Sequence, residues 1–134
     1  MPAILIVEDD KHQRLLLEEE LQSEGHTIVA AATAREAIQA VSRTMPDLVV
    51  LDIKMPDMDG IELLGKLVGL DFRLPIVIYT AYAIYQDNFL SLCADAYVVK
   101  RSDLGELKDT IRRVLGERRS LLPELPPLSS ACAL

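Results

Sequence analysis

Five short apolar runs punctuate the chain: Ala3 to Val7, Thr27 to Ala31, residues 47 to 52 around Leu48 and Leu51, Ile76 to Thr80 after Pro75, and Ala96 to Val99. Runs of that length that stay apolar rather than alternating suit strands covered on both faces. Between them the apolar spacing changes to threes and fours. Asp10 and Gln13 have the spacing of a helix cap, and in the helix that follows Leu15, Leu16 and Leu21 are expected inward, with Glu18, Glu19 and Glu20 mostly outward. Gly25-His26 stops that helix. Thr33-Ala-Arg-Glu36 is a capping box for a second helix with Ala37, Ile38 and Val41 as its buried stripe, and Met45-Pro46 closes the connection. Asp59-Gly-Ile-Glu62 opens a third, with Ile61, Leu64, Leu67 and Val68 at helical spacing. Ile84 to Cys93 forms a fourth helical pattern. Asp103 with Glu106 caps a last one, in which Leu104, Leu107, Ile111, Val114 and Leu115 recur at three and four.

Strands alternating with helices in this way predict an α/β fold: a doubly wound, five-stranded parallel sheet of order 2-1-3-4-5 with five helices. Right-handed crossovers bring the carboxyl ends of all strands to one edge, and the first and third strands flank the topological switch point. The domain is expected over residues 1–118. From Arg119 the composition shifts, and Pro123, Pro126 and Pro127 lead us to expect a mobile extended tail over 119–134.

The 134 residues carry a formal net charge of −7, which argues against nucleic-acid binding because phosphate backbones are held by Lys and Arg. The same acidity suits carboxylates gathered around a divalent cation. No apolar run approaches the roughly 18 residues a membrane span needs, and the N-terminus lacks the basic region of a signal peptide. Cys93 and Cys132 read as free thiols of a reducing compartment, so a cytoplasmic location is expected.

The chemistry lies at the strand ends. Glu8 and Asp9 end the first strand, Asp52 the third, Thr80 the fourth and Lys100 the fifth. Three acids at two adjacent strand ends repel one another, and a hard cation relieves that. Mg²⁺ takes six oxygens and keeps several waters. Asp9 and Asp52 would each give one oxygen, Glu8 another directly or through water, and the backbone carbonyl of Lys54 a further one. The second oxygen of Asp52 is then placed to attack phosphorus, since a carboxylate is a competent nucleophile for an aspartyl phosphate. The three equatorial phosphoryl oxygens would be met by Mg²⁺, the Lys100 ammonium and the Thr80 hydroxyl, and Ala81 is small enough to leave the approach open. Asp10 reads as a helix cap and His12 as a solvated first-turn residue.

With those residues in place the chain resembles the response-regulator receiver domains of two-component signalling. The matching stretches are Ile4-Leu-Ile-Val-Glu-Asp9, Asp47-Leu-Val-Val-Leu-Asp52-Ile-Lys-Met-Pro56, Met58-Asp-Gly60, Pro75-Ile-Val-Ile-Tyr-Thr-Ala81 and Ala94-Asp-Ala-Tyr-Val-Val-Lys100. The resemblance implies a flavodoxin-like receiver fold and phosphorylation of Asp52 from a phosphohistidine on a sensor histidine kinase or histidine phosphotransferase. It implies Mg²⁺ on Glu8, Asp9, Asp52 and the Lys54 carbonyl, with Thr80 and Lys100 on the phosphoryl group. It further implies a switch in which Thr80 moves and Tyr97 turns inward. The face of the fourth helix, fifth strand and last helix then changes its preference for a downstream protein target. Lys54 and Tyr82 match positions that tune dephosphorylation. Such a protein catalyses only its own phosphorylation and dephosphorylation. With no room for an output domain after residue 117, a stand-alone regulator or phosphorelay intermediate is expected.

Two departures border the output face: Arg101 stands where many receivers have proline, and Cys93-Ala-Asp-Ala96 lacks the usual glycine. They keep a second reading open, a phosphorylation-independent interaction module on the same fold. An aspartyl-phosphate hydrolase of the haloacid-dehalogenase type fits less well, because Lys54 stands where its general acid would be. A flavodoxin proper would need a Ser/Thr/Gly phosphate loop after the first strand.

Overall fold

The strands pair in parallel as one sheet in the order β2-β1-β3-β4-β5, where β1 is Ala3–Val7, β2 Thr27–Ala31, β3 Leu48–Leu51, β4 Ile76–Thr80 and β5 Ala96–Val99. The computed structural model describes residues 2–52, 60–70, 74–81, 94–100 and 104–121. Among them four helices are seen: α1 (Lys11–Ser23), α2 (Ala34–Arg43), α3 (Gly60–Leu70) and α4 (Gly105–Leu121). The helix expected over 84–93 lies outside the described residues, as do Asp59 and Asp103 at two of the expected helix starts.

Alternation along each strand divides the core into two layers, because successive side chains of a strand point to opposite faces. Leu5, Val7, Val49, Leu51, Ile76 and Ile78 face α2 and α3, where they meet Ala37, Val41, Leu63, Leu64 and Leu67. Ile4, Ile6, Leu48, Val50, Val77, Tyr79 and Val98 face α1 and α4, against Leu17, Leu21, Leu107, Ile111 and Val114. A sheet covered on both sides explains the unbroken apolar runs. Ile38, Val68, Leu104 and Leu115 are partly buried at the margins of these layers.

α1 departs from expectation. Leu21 is buried, but Leu15 and Leu16 are 46% and 49% exposed, and Leu17 takes the inward position. Leu17 lies one helical turn before Leu21, and a single stripe cannot also include Leu15 and Leu16. The capping box of α2 is also shifted: Thr33 Oγ1 accepts from the Glu36 N–H at 3.1 Å, while Glu36 reaches back to the Ala32 N–H at 3.0 Å. Gly25 closes the turn from α1 to β2 with φ of 94°, a conformation that favours glycine.

The new facing of α1 has a measurable consequence. Leu17→Ala is expected to lower the unfolding free energy by about 2–5 kcal/mol. Leu16→Ala should change it by about 0.5 kcal/mol or less. Urea unfolding of the two variants checks the assignment.

Candidate functional site

The same alternation that sorts the core also sorts the residues just past the strand ends. Glu8 follows Val7 and falls on the side of Ile4 and Ile6. Asp52 follows Leu51 and falls on the side of Leu48 and Val50, and Lys100 likewise joins Val98. All three therefore project to the α1/α4 side of one sheet edge. Each is still held by the backbone ladder: Glu8 N–H donates to Ala31 O at 3.0 Å, Asp52 N–H to Val7 O at 3.1 Å, and Lys100 N–H to Thr80 O at 2.7 Å. Thr80 and Tyr97 have the opposite parity, and Tyr97 packs at the margin of the α2/α3 layer.

Lys100 joins the acids. Its Nζ donates to Glu8 Oε1 at 2.6 Å and to Asp52 Oδ2 at 3.0 Å, with both carboxylates buried. The ammonium also lies 5.7 Å from the centre of the Tyr79 ring, within range of a favourable cation–π contact. Burial pushes the Glu8 carboxyl above the ordinary carboxylate range, and the Asp52 charge adds to this while Lys100 opposes it. For Lys100, burial works against the charge, but Glu8 and Asp52 outweigh it and carry its pKa up. Lys100 is therefore a fixed cation at neutral pH.

One carboxylate oxygen from each of Glu8, Asp9 and Asp52 lies within 4.8 Å of the other two. Asp9 is exposed, so the trio opens to solvent on one side. An all-oxygen, all-carboxylate donor set of this span fits a hard divalent cation such as Mg²⁺. Asp10 stays out of it. Its Oδ1 accepts the backbone N–H of His12 at 2.9 Å and of Gln13 at 3.1 Å, which makes it the α1 cap. His12 is exposed. Arg14 donates to Glu8 O at 2.9 Å and anchors the turn between β1 and α1.

Thus Glu8, Asp9, Asp52 and Lys100 come together as expected, and Thr80 stands buried at the end of β4 on the same edge. Lys54, Tyr82 and Arg101 lie outside the described residues. One residue near the chemistry went unanticipated. Gln13 Oε1 accepts from Lys100 Nζ at 2.6 Å, although its spacing from Asp10 had suggested a capping role alone.

Removing the cation should expose the acids' repulsion. Lys100→Met is expected to lower stability near neutral pH, without divalent cation, by about 1–3 kcal/mol. That is less than the loss at a fully buried pair, since the Lys100 side chain is 16% exposed. In the variant Glu8 rises further above its unfolded value. The penalty is therefore complete above that raised value and shrinks as pH falls and Glu8 protonates. Urea unfolding of both proteins from about pH 7.5 to about pH 5 checks the narrowing gap.

Comparison with known proteins agrees with this geometry. The model of the response regulator receiver domain family matches residues 4–112. The chain is 36% identical over 115 residues to sporulation initiation phosphotransferase F of Bacillus subtilis, covering 84% of this chain and 92% of that one. It also matches longer transcriptional regulators, spanning 30% of ZraR from Salmonella typhimurium and 55% of AfsQ1 from Streptomyces coelicolor. Among solved structures it is similar to the response regulator TrrA of Thermotoga maritima in complex with Mg²⁺-BeF. The TM-score is 0.82 at 38% identity, over 85% of this chain and 99% of that one. TrrA bound to the histidine kinase ThkA is similar at a TM-score of 0.81 and 39% identity, over 86% and 99% of the two chains. No helix among the described residues is long and apolar enough to cross a membrane. A family match over most of its length, on a five-stranded sheet of order 2-1-3-4-5, makes this chain a member of the response-regulator receiver domains.

Proposed function

We propose that the chain is a phosphoacceptor: Asp52 takes a phosphoryl group from a phosphohistidine on a sensor histidine kinase or histidine phosphotransferase. The observation that carries this reading is the Lys100 ammonium held between buried Glu8 and Asp52, with Asp9 beside them. A carboxylate oxygen of Asp52 attacks phosphorus, the P–N bond to the donor imidazole breaks, and the imidazole leaves with its electron pair and takes up a proton. Lys100 moves its hydrogen bonds from Glu8 and Asp52 to a phosphoryl oxygen, which balances charge that the transfer brings to the site. Thr80 takes another oxygen through its hydroxyl.

Glu8, Asp9 and Asp52, with the Lys54 carbonyl, would hold Mg²⁺, which when bound supplies charge neutralisation at the phosphoryl oxygens. The structure of TrrA with Mg²⁺-BeF supports that assignment, and its complex with ThkA supports a kinase as partner. Beyond catalysing its own phosphorylation and dephosphorylation the protein turns over no substrate in this reading. The receiver unit is taken as residues 1–118 and the tail as 119–134, although α4 itself runs on to Leu121, so an extended segment can begin only after that residue. Movement of Thr80 and Tyr97 alters the face that includes β5 and α4, and so the preference for a downstream protein, in the cytoplasm.

Intact-protein mass after incubation with acetyl phosphate tests the assignment. One Mg²⁺-dependent, hydroxylamine-sensitive phosphate is expected on the wild type and none on Asp52→Asn. Label that persists in the variant contradicts the assignment. A wild type that binds Mg²⁺ yet takes no phosphate from either acetyl phosphate or a phosphohistidine donor would point to the phosphorylation-independent module. Asp9→Asn should weaken Mg²⁺ binding at least about tenfold, since even outer partners of metal ligands are worth that much. Titration calorimetry measures it.

A further inference from the structure

Gln13 stands three residues after the α1 cap Asp10, where a glutamine ordinarily reaches back to the cap's own backbone N–H. That donor is already taken, since Asp10 N–H donates to Glu8 Oε2 at 3.2 Å. Glu8 thus uses one oxygen for the turn and the other for Lys100. The Gln13 side chain is left to find another partner, and it reaches Lys100 across 87 residues of sequence. Its backbone is meanwhile pinned, because Asp10 Oδ1 accepts the Gln13 N–H at 3.1 Å.

An ammonium has three N–H donors. Here they meet three acceptors: Glu8 Oε1 at 2.6 Å, Asp52 Oδ2 at 3.0 Å and Gln13 Oε1 at 2.6 Å. The first two are carboxylates that the reaction itself recruits, Glu8 for a cation and Asp52 for phosphorus. Gln13 is the neutral one of the three, and neither phosphorylation nor cation binding changes its charge. A neutral acceptor can hold an ammonium in position without competing, as a carboxylate would, with an arriving phosphoryl group.

We propose that Gln13 is a positioning residue for Lys100. From the first turn of α1 its side-chain carbonyl keeps Nζ at the mouth of the site, so that Lys100 passes from the two acids to the phosphoryl oxygen without being reoriented. This rests on the reading of Asp52 as phosphoacceptor.

The test compares wild type, Gln13→Ala and Gln13→Glu by two readouts. One is the rate of phosphate incorporation from acetyl phosphate with Mg²⁺. The other is the exchange of the Lys100 ammonium protons with water, followed by nitrogen-15 NMR with neither Mg²⁺ nor phosphate present. Gln13→Ala is expected to slow incorporation and to speed exchange by roughly three- to tenfold each, the scale of one solvent-exposed hydrogen bond to a neutral acceptor. Gln13→Glu keeps the acceptor and the helix position but adds a charge that competes for Lys100. It should therefore restore slow exchange while leaving incorporation slow. A role in α1 capping alone would lower thermal stability in Gln13→Ala and leave ammonium exchange unchanged. That result overturns the proposal, and so does a Gln13→Ala variant whose rate and exchange both match wild type. If wild type takes phosphate on Asp52 from neither acetyl phosphate nor a phosphohistidine donor, the phosphoacceptor reading fails, and the exchange measurement alone decides whether Gln13 holds Lys100.

Discussion

Gathering three carboxylates at one edge of a sheet is electrostatically costly, and the site depends on how that cost is met. In the resting protein Lys100 meets much of it, with Nζ 2.6 Å from Glu8 and 3.0 Å from Asp52. The arrangement is costly to break from either side. Without Lys100, two buried acids face each other, and without the acids, a largely buried ammonium has no counter-charge. Such a pair is weak as a source of stability and strong as a fixed orientation. It keeps a cation within reach of the oxygen proposed as nucleophile, and a phosphoryl group arriving there would find its counter-charge already in place.

What brings the partners together is the pleat. Glu8, Asp52 and Lys100 each lie one residue past a strand end, and each shares the parity of the residues that face α1 and α4. A one-residue slip in β1, β3 or β5 would send that side chain to the other face. Register is therefore part of the chemistry, and the double layer of buried apolar residues is what holds it. Thr80 and Tyr97, with opposite parity, lie toward the α2/α3 layer. The two residues proposed to signal thus meet the reacting edge from the side opposite Lys100.

Much of this was legible in the sequence because buried parallel strands write themselves as unbroken apolar runs, and the polar residue that ends each run is conspicuous. Strand order, the limits of four strands, the acidic trio and Lys100 follow from that pattern; the third strand, expected over 47 to 52, is Leu48–Leu51, one residue shorter at each end. Two things were harder to see. The three successive leucines at 15–17 leave the phase of α1 ambiguous unless it is counted back from Leu21, which selects Leu17. Gln13 looked like half of a capping box because local spacing cannot show that Glu8 already satisfies the Asp10 N–H. Glu8 lies two residues before the cap, so the competing acceptor was present in the sequence. The bond from Gln13 to Lys100, however, is a product of the fold.

The most direct test of the central claim is a crystal structure of the protein with Mg²⁺ and beryllofluoride, a mimic of the phosphoryl group. Beryllofluoride is expected on a carboxylate oxygen of Asp52, the cation among Glu8, Asp9 and Asp52, and Lys100 Nζ shifted from Glu8 onto a fluoride. Beryllofluoride on any other residue, or Lys100 still bridging Glu8 and Asp52 beside a modified Asp52, would contradict the claim.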